Sequence, residues 1–268
     1  MQAIICFVSD FGLDDTWVGV CHAVIHRACP QARVVDLSHL VPPFDIRKGA
    51  VVCASGVWQL PDAIHLAVVD PGVGGGRRDV CLVTKSGTRL VGPDNGVLLP
   101  ATWASGGVAE AYAIDPSCLD YRAPLPTFHA RDILSPAAAL LASGVPPRKV
   151  GTAFDPAELE PAPFSSWRIE SGEVAADVLD IDRFGSVRIG IAGGELPDAG
   201  LDVPTLELGF GHLSVRAPLA TTFSDVPEGA PVALVDSSGW LTLAVRMGSA
   251  SERYGIEPGH TARLKPAS

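Results

Sequence analysis

No stretch of the chain approaches the ~20 consecutive apolar residues that a membrane-spanning helix requires. The first residues, MQAIICFVSDFG, lack both a basic leader and a cleavage site and read as a first core strand. The expectation is therefore a cytoplasmic protein with no membrane partner. Basic residues are in deficit: 20 Lys and Arg face 30 Asp and Glu, a formal charge of −10. Phosphate backbones are bound through clustered Lys and Arg, so this balance argues against nucleic acid as a partner. Paired cysteines are missing too. The six (Cys6, Cys21, Cys29, Cys53, Cys81, Cys118) include no CxxC, and several fall inside apolar runs. This argues against a disulfide framework or a zinc site and for small buried hydrophobes in a reducing compartment. GxGxxG, Walker, GxSxG and HExxH motifs are also absent, so neither a metal nor an organic cofactor is expected.

What is present is a chain of 268 residues, 47% hydrophobic and 19% charged, long enough for a sizeable core. In the first half, apolar runs at 3–9, 32–36, 64–69, 79–84 and 89–92 alternate with helix-like segments at 15–28, 45–58 and 131–143. That alternation predicts βαβ units. The stretch GVPPRKVGTAFDPAELEPAPFSSW (144–167) is rich in proline and small residues, as a linker is. Beyond it come short β-rich runs broken by turn residues, and VALVDSSGWLTLAV carries a hairpin signal. The fold class expected is α/β: an N-terminal mostly parallel sheet flanked by helices over 1–150, a linker at 151–168, and a C-terminal all-β, barrel-like domain over 169–268.

The candidate chemistry sits at strand ends. IHLAVVDPGVGGGRR (64–78) runs an apolar strand into Asp70, a glycine-rich loop and two arginines. A carboxylate facing free backbone N–H groups and a fixed cation can orient a small polar nucleophile. Asp10 and Asp94 repeat the layout after two other apolar runs, and open sheets bind ligands at the carboxyl ends of their strands. Each residue also has a plainer reading. PDNG (93–96) is a good turn, and Asp14 and Asp15 suit the cap of the following helix. His65 lies inside a buried strand, and His129 opens a helix whose first turn contains Asp132. From the residues alone, an α/β enzyme with an acid-rich site follows, but not its reaction.

A resemblance supplies the reaction. In order, SDFGLDD (9–15), VVDLSHLVPPFDIRKGA (34–50), VVDPGVGGGRR (68–78), GPDNGVL (92–98), FHARD (128–132), DRFGS (182–186) and SSGWLTLAV (237–245) resemble the S-adenosyl-L-methionine (SAM) hydroxide adenosyltransferases, relatives of the SAM-dependent fluorinases and chlorinases. The resemblance implies hydrolysis of SAM to adenosine and L-methionine without a cofactor. It also implies a homotrimer whose sites are shared between subunits. On the matching positions it places Asp70, Arg77 and His129 as the set that holds and activates water. Asp10 would grip the ribose hydroxyls, and Phe44 and Phe128 would wall the pocket. Asp15 and Asp182 become candidates for the methionine ammonium, with Asp94 and Asn95 of the PDNG turn as further binding candidates. Phe184, Ser186, Phe223, Ser237 and Ser238 would surround the adenine. Neighbouring residues of an extended segment point to opposite sides. The family spacing selects Arg77, leaving Arg78 for a surface ion pair worth ~0–1 kcal/mol.

The chain departs from the family pattern at three places: Ser186 for an asparagine, Ala130 for a glycine, and Trp17 where tyrosine is common. The halogenases of the superfamily carry tyrosine at the position of Asp70 and lack the histidine at 129, so a halide-using enzyme is disfavoured. A third alternative is a non-catalytic SAM or adenosine sensor, against which the retained Asp70, Arg77 and His129 argue.

Overall fold

The computed structural model describes residues 3–119 and 125–267. The chain divides into two compact units, 1–163 and 164–268. The first unit is built on a seven-stranded sheet. Its elements are β1 (Ile4–Ser9), α1 (Trp17–Ala28), β2 (Arg33–Ser38), α2 (Ile46–Gln59), β3 (Ile64–Val68), β4 (Asp79–Thr84), β5 (Arg89–Pro93), α3 (Leu99–Trp103), β6 (Val108–Ile114), α4 (Ser135–Ala142) and β7 (Gly151–Phe154). The strand order is β2-β1-β3-β5-β4-β6-β7.

The sheet is mixed, and connection lengths explain why. Helices α1 and α2 link β1, β2 and β3, which run parallel, and β5 continues this half beside β3. Between β4 and β5 only a short turn intervenes. Parallel strands need a crossover of a dozen or more residues, so this pair closes as a hairpin. From there β4, β6 and β7 add antiparallel to their neighbours. Residues 151–154, within the proline-rich stretch, form the last of these strands.

Helices cover both faces of the parallel half, as the period-2 alternation of β1 requires. Ile5 and Phe7 are buried in one cluster with Cys21 and Ile25 of α1 and with Leu134 and Leu141 around α4. Cys6 points the other way, into the field of Cys53 on α2. Five of the six cysteines are buried and all are free. Burial pushes the Cys6 and Cys21 thiols up to about 11 and the Cys53 and Cys81 thiols up to about 12, so they stay protonated. His65 is a core histidine: its Nε2 lies 3.0 Å from the Leu60 carbonyl, and desolvation lowers its pKa. No helix among the described residues is long and apolar enough to cross a membrane.

The second unit contains β8 (Arg168–Glu170), β9 (Glu173–Ile181), β10 (Val187–Ala192), β11 (Thr205–Phe210), β12 (Leu213–Pro218), β13 (Pro231–Val235), β14 (Trp240–Val245) and β15 (Thr261–Pro266). All pairings are antiparallel in the order β12-β11-β15-β9-β10-β14-β13, with β8 on β9. The two ends of this path meet where Leu219 bridges Ala233, which nearly closes a barrel. Strand β11 shows how the sequence fills it. Leu206, Leu208 and Phe210 are buried in the core while the intervening residues are half-buried. The VALVDSSGWLTLAV segment is the β13–β14 hairpin.

Candidate active site

Strands β1 and β3 are hydrogen-bonded neighbours, so the residues leaving their carboxyl ends emerge side by side. Asp10 and Asp70 leave there, and both line a cavity of about 880 Å³ within the first unit. That volume suits a nucleoside-sized ligand. Asp10 Oδ2 accepts the Phe44 N–H at 2.9 Å, tying the β1 tip to the loop before α2. Phe44 sits in the left-handed region (φ 69°) and, 70% exposed as a residue, lines the cavity. Opposite lies an aromatic wall. Phe11 meets Trp17 and Phe128 edge to face, each at 6.0 Å between centroids.

Behind Asp70 the chain assembles a buried charged cluster. Arg77 donates from Nε to Asp70 Oδ1 at 3.0 Å and from Nη2 to Asp70 Oδ2, a bidentate pair. Its Nη1 donates to Asp79 Oδ1 at 2.6 Å. Asp79 Oδ2 in turn lies 2.7 Å from His129 Nδ1, while Arg77 Nη2 is 3.2 Å from the same nitrogen. One nitrogen cannot serve as donor and acceptor at once. The shorter, carboxylate contact assigns the proton to Nδ1, and the guanidinium approach is then a close packing contact. This leaves Nε2 as the proton acceptor of the ring. Asp70 and His129 line the cavity. Arg77 stands one layer back, its side chain 11% exposed.

Asp79 is the member of this cluster that sequence reading missed. Its signal was a carboxylate opening the otherwise apolar strand DVCLVT, which resembles any strand-end aspartate until the pairing is known. Desolvation raises the Asp79 pKa, outweighing the opposite pull of Arg77 and His129. Arg77 also faces a desolvation cost, which Asp70 and Asp79 more than offset, so its pKa is raised and it stays charged.

Local backbone explains how these groups converge. Gly74 has φ +77°, and a Cβ there would meet the Pro126 carbonyl oxygen at 2.4 Å. Only glycine lets the 70–77 loop pack against the segment leading to His129. That segment enters a π-helical turn, Ala130–Leu134, of the kind found at functional sites. Asp132, buried, accepts from Arg131 at 2.6 and 2.7 Å and from the Leu125 N–H at 2.9 Å, which fixes the entry.

Other candidates lie elsewhere. Asp94 is buried and spent on structure, accepting from Arg78 Nε and the Glu160 N–H at 2.9 Å each. Asn95 donates to the Val69 carbonyl at 2.8 Å, bracing the β3 tip. Neither lines the cavity. Arg78 does point away from the cluster, but its partner is the buried Asp94, and its guanidinium lies 4.1 Å above the Phe154 ring. It is thus more than a surface ion pair. Asp15 is exposed and accepts the Thr16 N–H at 2.6 Å just before α1.

In the second unit, Asp182 Oδ1 accepts the Phe184 and Ser186 N–H groups at 2.8 Å each, closing the turn between β9 and β10. Phe184 and Phe223 are 79% and 47% exposed, and Ser186 is buried. Ser237 and Ser238 occupy the β13–β14 turn, where Asp236 accepts the Ser238 N–H at 2.8 Å.

Residues 5–151 match the N-terminal domain, and residues 176–263 the C-terminal domain, of SAM hydroxide adenosyltransferases. The chain belongs to this family. The (R)-S-adenosyl-L-methionine hydrolase of Salinispora arenicola is 42% identical to this family member over 261 residues, covering 97% of each chain. The fluorinase of Nocardia brasiliensis is 29% identical over 297 residues, covering 98% of this chain and 97% of its own. A crystal structure of an uncharacterized conserved protein from Thermotoga maritima superposes with a TM-score of 0.88 at 33% identity, covering 98% of this adenosyltransferase-family chain and 100% of its own.

Proposed function

We propose that this adenosyltransferase-family member hydrolyses SAM to adenosine and L-methionine by in-line attack of water on the ribose 5′-carbon. The observation that carries the reading is the pairing of Asp70 and His129. Both line one cavity, and both are held from behind by the buried Arg77–Asp79 pair. As the water oxygen bonds to C5′, the C5′–S bond breaks and its electron pair goes to sulfur. Methionine therefore leaves as a neutral thioether and needs no acid. The water proton is the one to be handled. Asp70 and Nε2 of His129, both on the cavity wall, are the acceptors we assign to orienting the water and taking its proton. Arg77 fixes the Asp70 carboxylate and supplies positive potential where hydroxide character develops. Asp10 would accept from the two ribose hydroxyls, and the Phe44 and Phe128 side chains, which line the same cavity, suit an apolar ligand face.

A halide ion would sit beside the Asp70 carboxylate and be repelled, without the dehydrated neutral pocket it needs. Purified protein incubated with SAM is expected to yield adenosine and methionine in equal amounts, with no metal or cofactor added. In potassium chloride or fluoride, no 5′-halo-5′-deoxyadenosine should form. Unchanged SAM at stoichiometric enzyme, S-adenosylhomocysteine, or a halogenated nucleoside above the enzyme-free control would each overturn the assignment.

We further propose that the protein is a cytoplasmic homotrimer in which a neighbouring copy completes each cavity. The exposed rings of Phe44, Phe184 and Phe223 support this, because a nucleoside pocket normally buries its aromatic surfaces. The second-unit candidates Asp182, Phe184, Ser186, Phe223, Ser237 and Ser238 would then act from the adjoining copy. Light scattering at micromolar concentration should give three times the chain mass of 27.9 kDa. A fully active monomer would contradict it.

A further inference from the structure

Three potential ligand atoms converge on the opposite side of the β1 tip from the Arg77 cluster. His22 Nε2 on α1 lies 2.9 Å from Asp36 Oδ1 on β2, and His39 Nε2, in the loop after β2, lies 2.9 Å from the same oxygen. All three ligating atoms fall within 4.8 Å of one another. The His22 contact is a sound hydrogen bond. The His39 contact is not. Among the described residues its Nε2 has no hydrogen-bond partner, although it is fully buried on a side chain only 2% exposed.

Either tautomer of His39 leaves a fault. Ser9 Oγ sits 2.7 Å from Nδ1 and also receives the Phe11 N–H at 3.3 Å. With the proton on Nδ1, donated to Ser9, the Nε2 lone pair faces a carboxylate oxygen and is repelled. With the proton on Nε2, that N–H is buried and misaligned with the Asp36 carboxylate it faces. A cation between the three atoms removes both faults. Nδ1–H then bonds Ser9, the second-shell contact that usually fixes the tautomer of a metal-bound histidine. Zinc–nitrogen and zinc–oxygen bonds of about 2.0–2.2 Å in a tetrahedral array place adjacent ligand atoms about 3.3–3.5 Å apart, so the two nitrogen–oxygen separations of 2.9 Å would open by roughly half an ångström as the ion enters.

We propose that His22, Asp36 and His39 form a binding site for a divalent transition-metal ion of the zinc type. Two imidazoles and one carboxylate favour Zn²⁺, Co²⁺ or Ni²⁺ over Mg²⁺ and Ca²⁺, which prefer all-oxygen shells. Three protein ligands leave a position for water. The ion takes no part in the hydrolysis. It ties α1 to the loop after β2, where His39 also lines the cavity and its carbonyl accepts the Gly12 N–H at 2.8 Å.

The test uses the full chain, stripped with chelator and desalted. Calorimetric titration with ZnCl₂ should give one saturable ion per chain, and CoCl₂ should produce the visible absorption of a nitrogen-ligated ion. His22→Ala and Asp36→Asn should each weaken binding by about tenfold or more, whereas His129→Ala and Cys118→Ser should leave it within a few-fold. The His22 side chain is 28% exposed on α1, so its alanine variant should keep the wild-type circular dichroism in the metal-free state. Absence of saturable binding, affinity unchanged in both His22→Ala and Asp36→Asn, or loss of binding in His129→Ala would overturn the site. Because binding is read directly, the outcome is independent of whether SAM is the substrate.

Discussion

Arg77→Ala should lower kcat by about 10²–10³, the size of effect seen when one preorganised electrostatic donor is removed from an active site. The reason is what Arg77 holds. Without it, Asp70 loses both hydrogen bonds of its bidentate pair, and Asp79 loses its cation. The water then meets a mobile carboxylate and no balancing positive charge. SAM affinity should move far less, because Arg77 stands behind the cavity wall and contributes no lining surface. An interaction made mainly in the transition state lowers kcat and kcat/KM together.

Arg78→Ala provides the contrast. Its guanidinium serves Asp94, Glu158 and the Phe154 ring, all outside the cavity. Turnover should stay within a few-fold of wild type. Stability should fall by about 2–3 kcal/mol, because Asp94 is left buried without its cation. This is below the ~3–5 kcal/mol of a fully buried pair, since Arg78 is itself nearly a third exposed. An apparent Tm lower by roughly 5–10 °C would accompany it. Measuring kcat, SAM affinity and Tm for both variants decides the matter. A crippled Arg78→Ala beside a healthy Arg77→Ala would reverse the assignment, and two healthy variants would remove electrostatic activation of water from the mechanism.

How far the site was legible depends on how local each residue's cause was. Asp10 and Asp70 could be placed at strand tips because an apolar run ending in aspartate fixes position within a few residues. The sheet order then makes those tips neighbours. The glycine loop was visible as a loop, but the closeness of Gly74 to Pro126 was not, since it depends on chain segments 52 residues apart. The mixed character of the sheet follows from a short β4–β5 turn, a local feature that the alternation of strands and helices masked. Asp94 carried the same strand-then-acid pattern as Asp70, yet its environment is Arg78 and the Glu160 N–H, partners set by tertiary packing. His39 was hidden for the same reason: nothing in SHLVPP announces a buried ring nitrogen facing Asp36.

Asp79 illustrates the point most sharply, and its substitution gives the second large effect. Its two oxygens divide their work: Oδ1 accepts from Arg77 at 2.6 Å and Oδ2 faces His129 Nδ1 at 2.7 Å. In this arrangement Asp79 is a positioning residue that sets which ring nitrogen of His129 carries the proton, much as outer carboxylates set the tautomer of catalytic and metal-bound histidines. Asp79→Asn keeps size and shape but offers an NH₂ group that can donate to Nδ1. That favours the tautomer with its proton on Nε2, the nitrogen that the proposed mechanism uses to receive the proton of water. We expect kcat to fall by about 10–100-fold, KM for SAM to stay within about twofold, and the pH dependence of kcat to change shape. Asp79→Glu, which retains the carboxylate, should recover part of the loss. A purely structural Asp79 would instead lower Tm and active fraction while leaving the pH profile of the surviving enzyme unchanged. That outcome, or a KM that rises with kcat intact, would remove Asp79 from the proton-handling machinery and leave Asp70 as its principal acceptor.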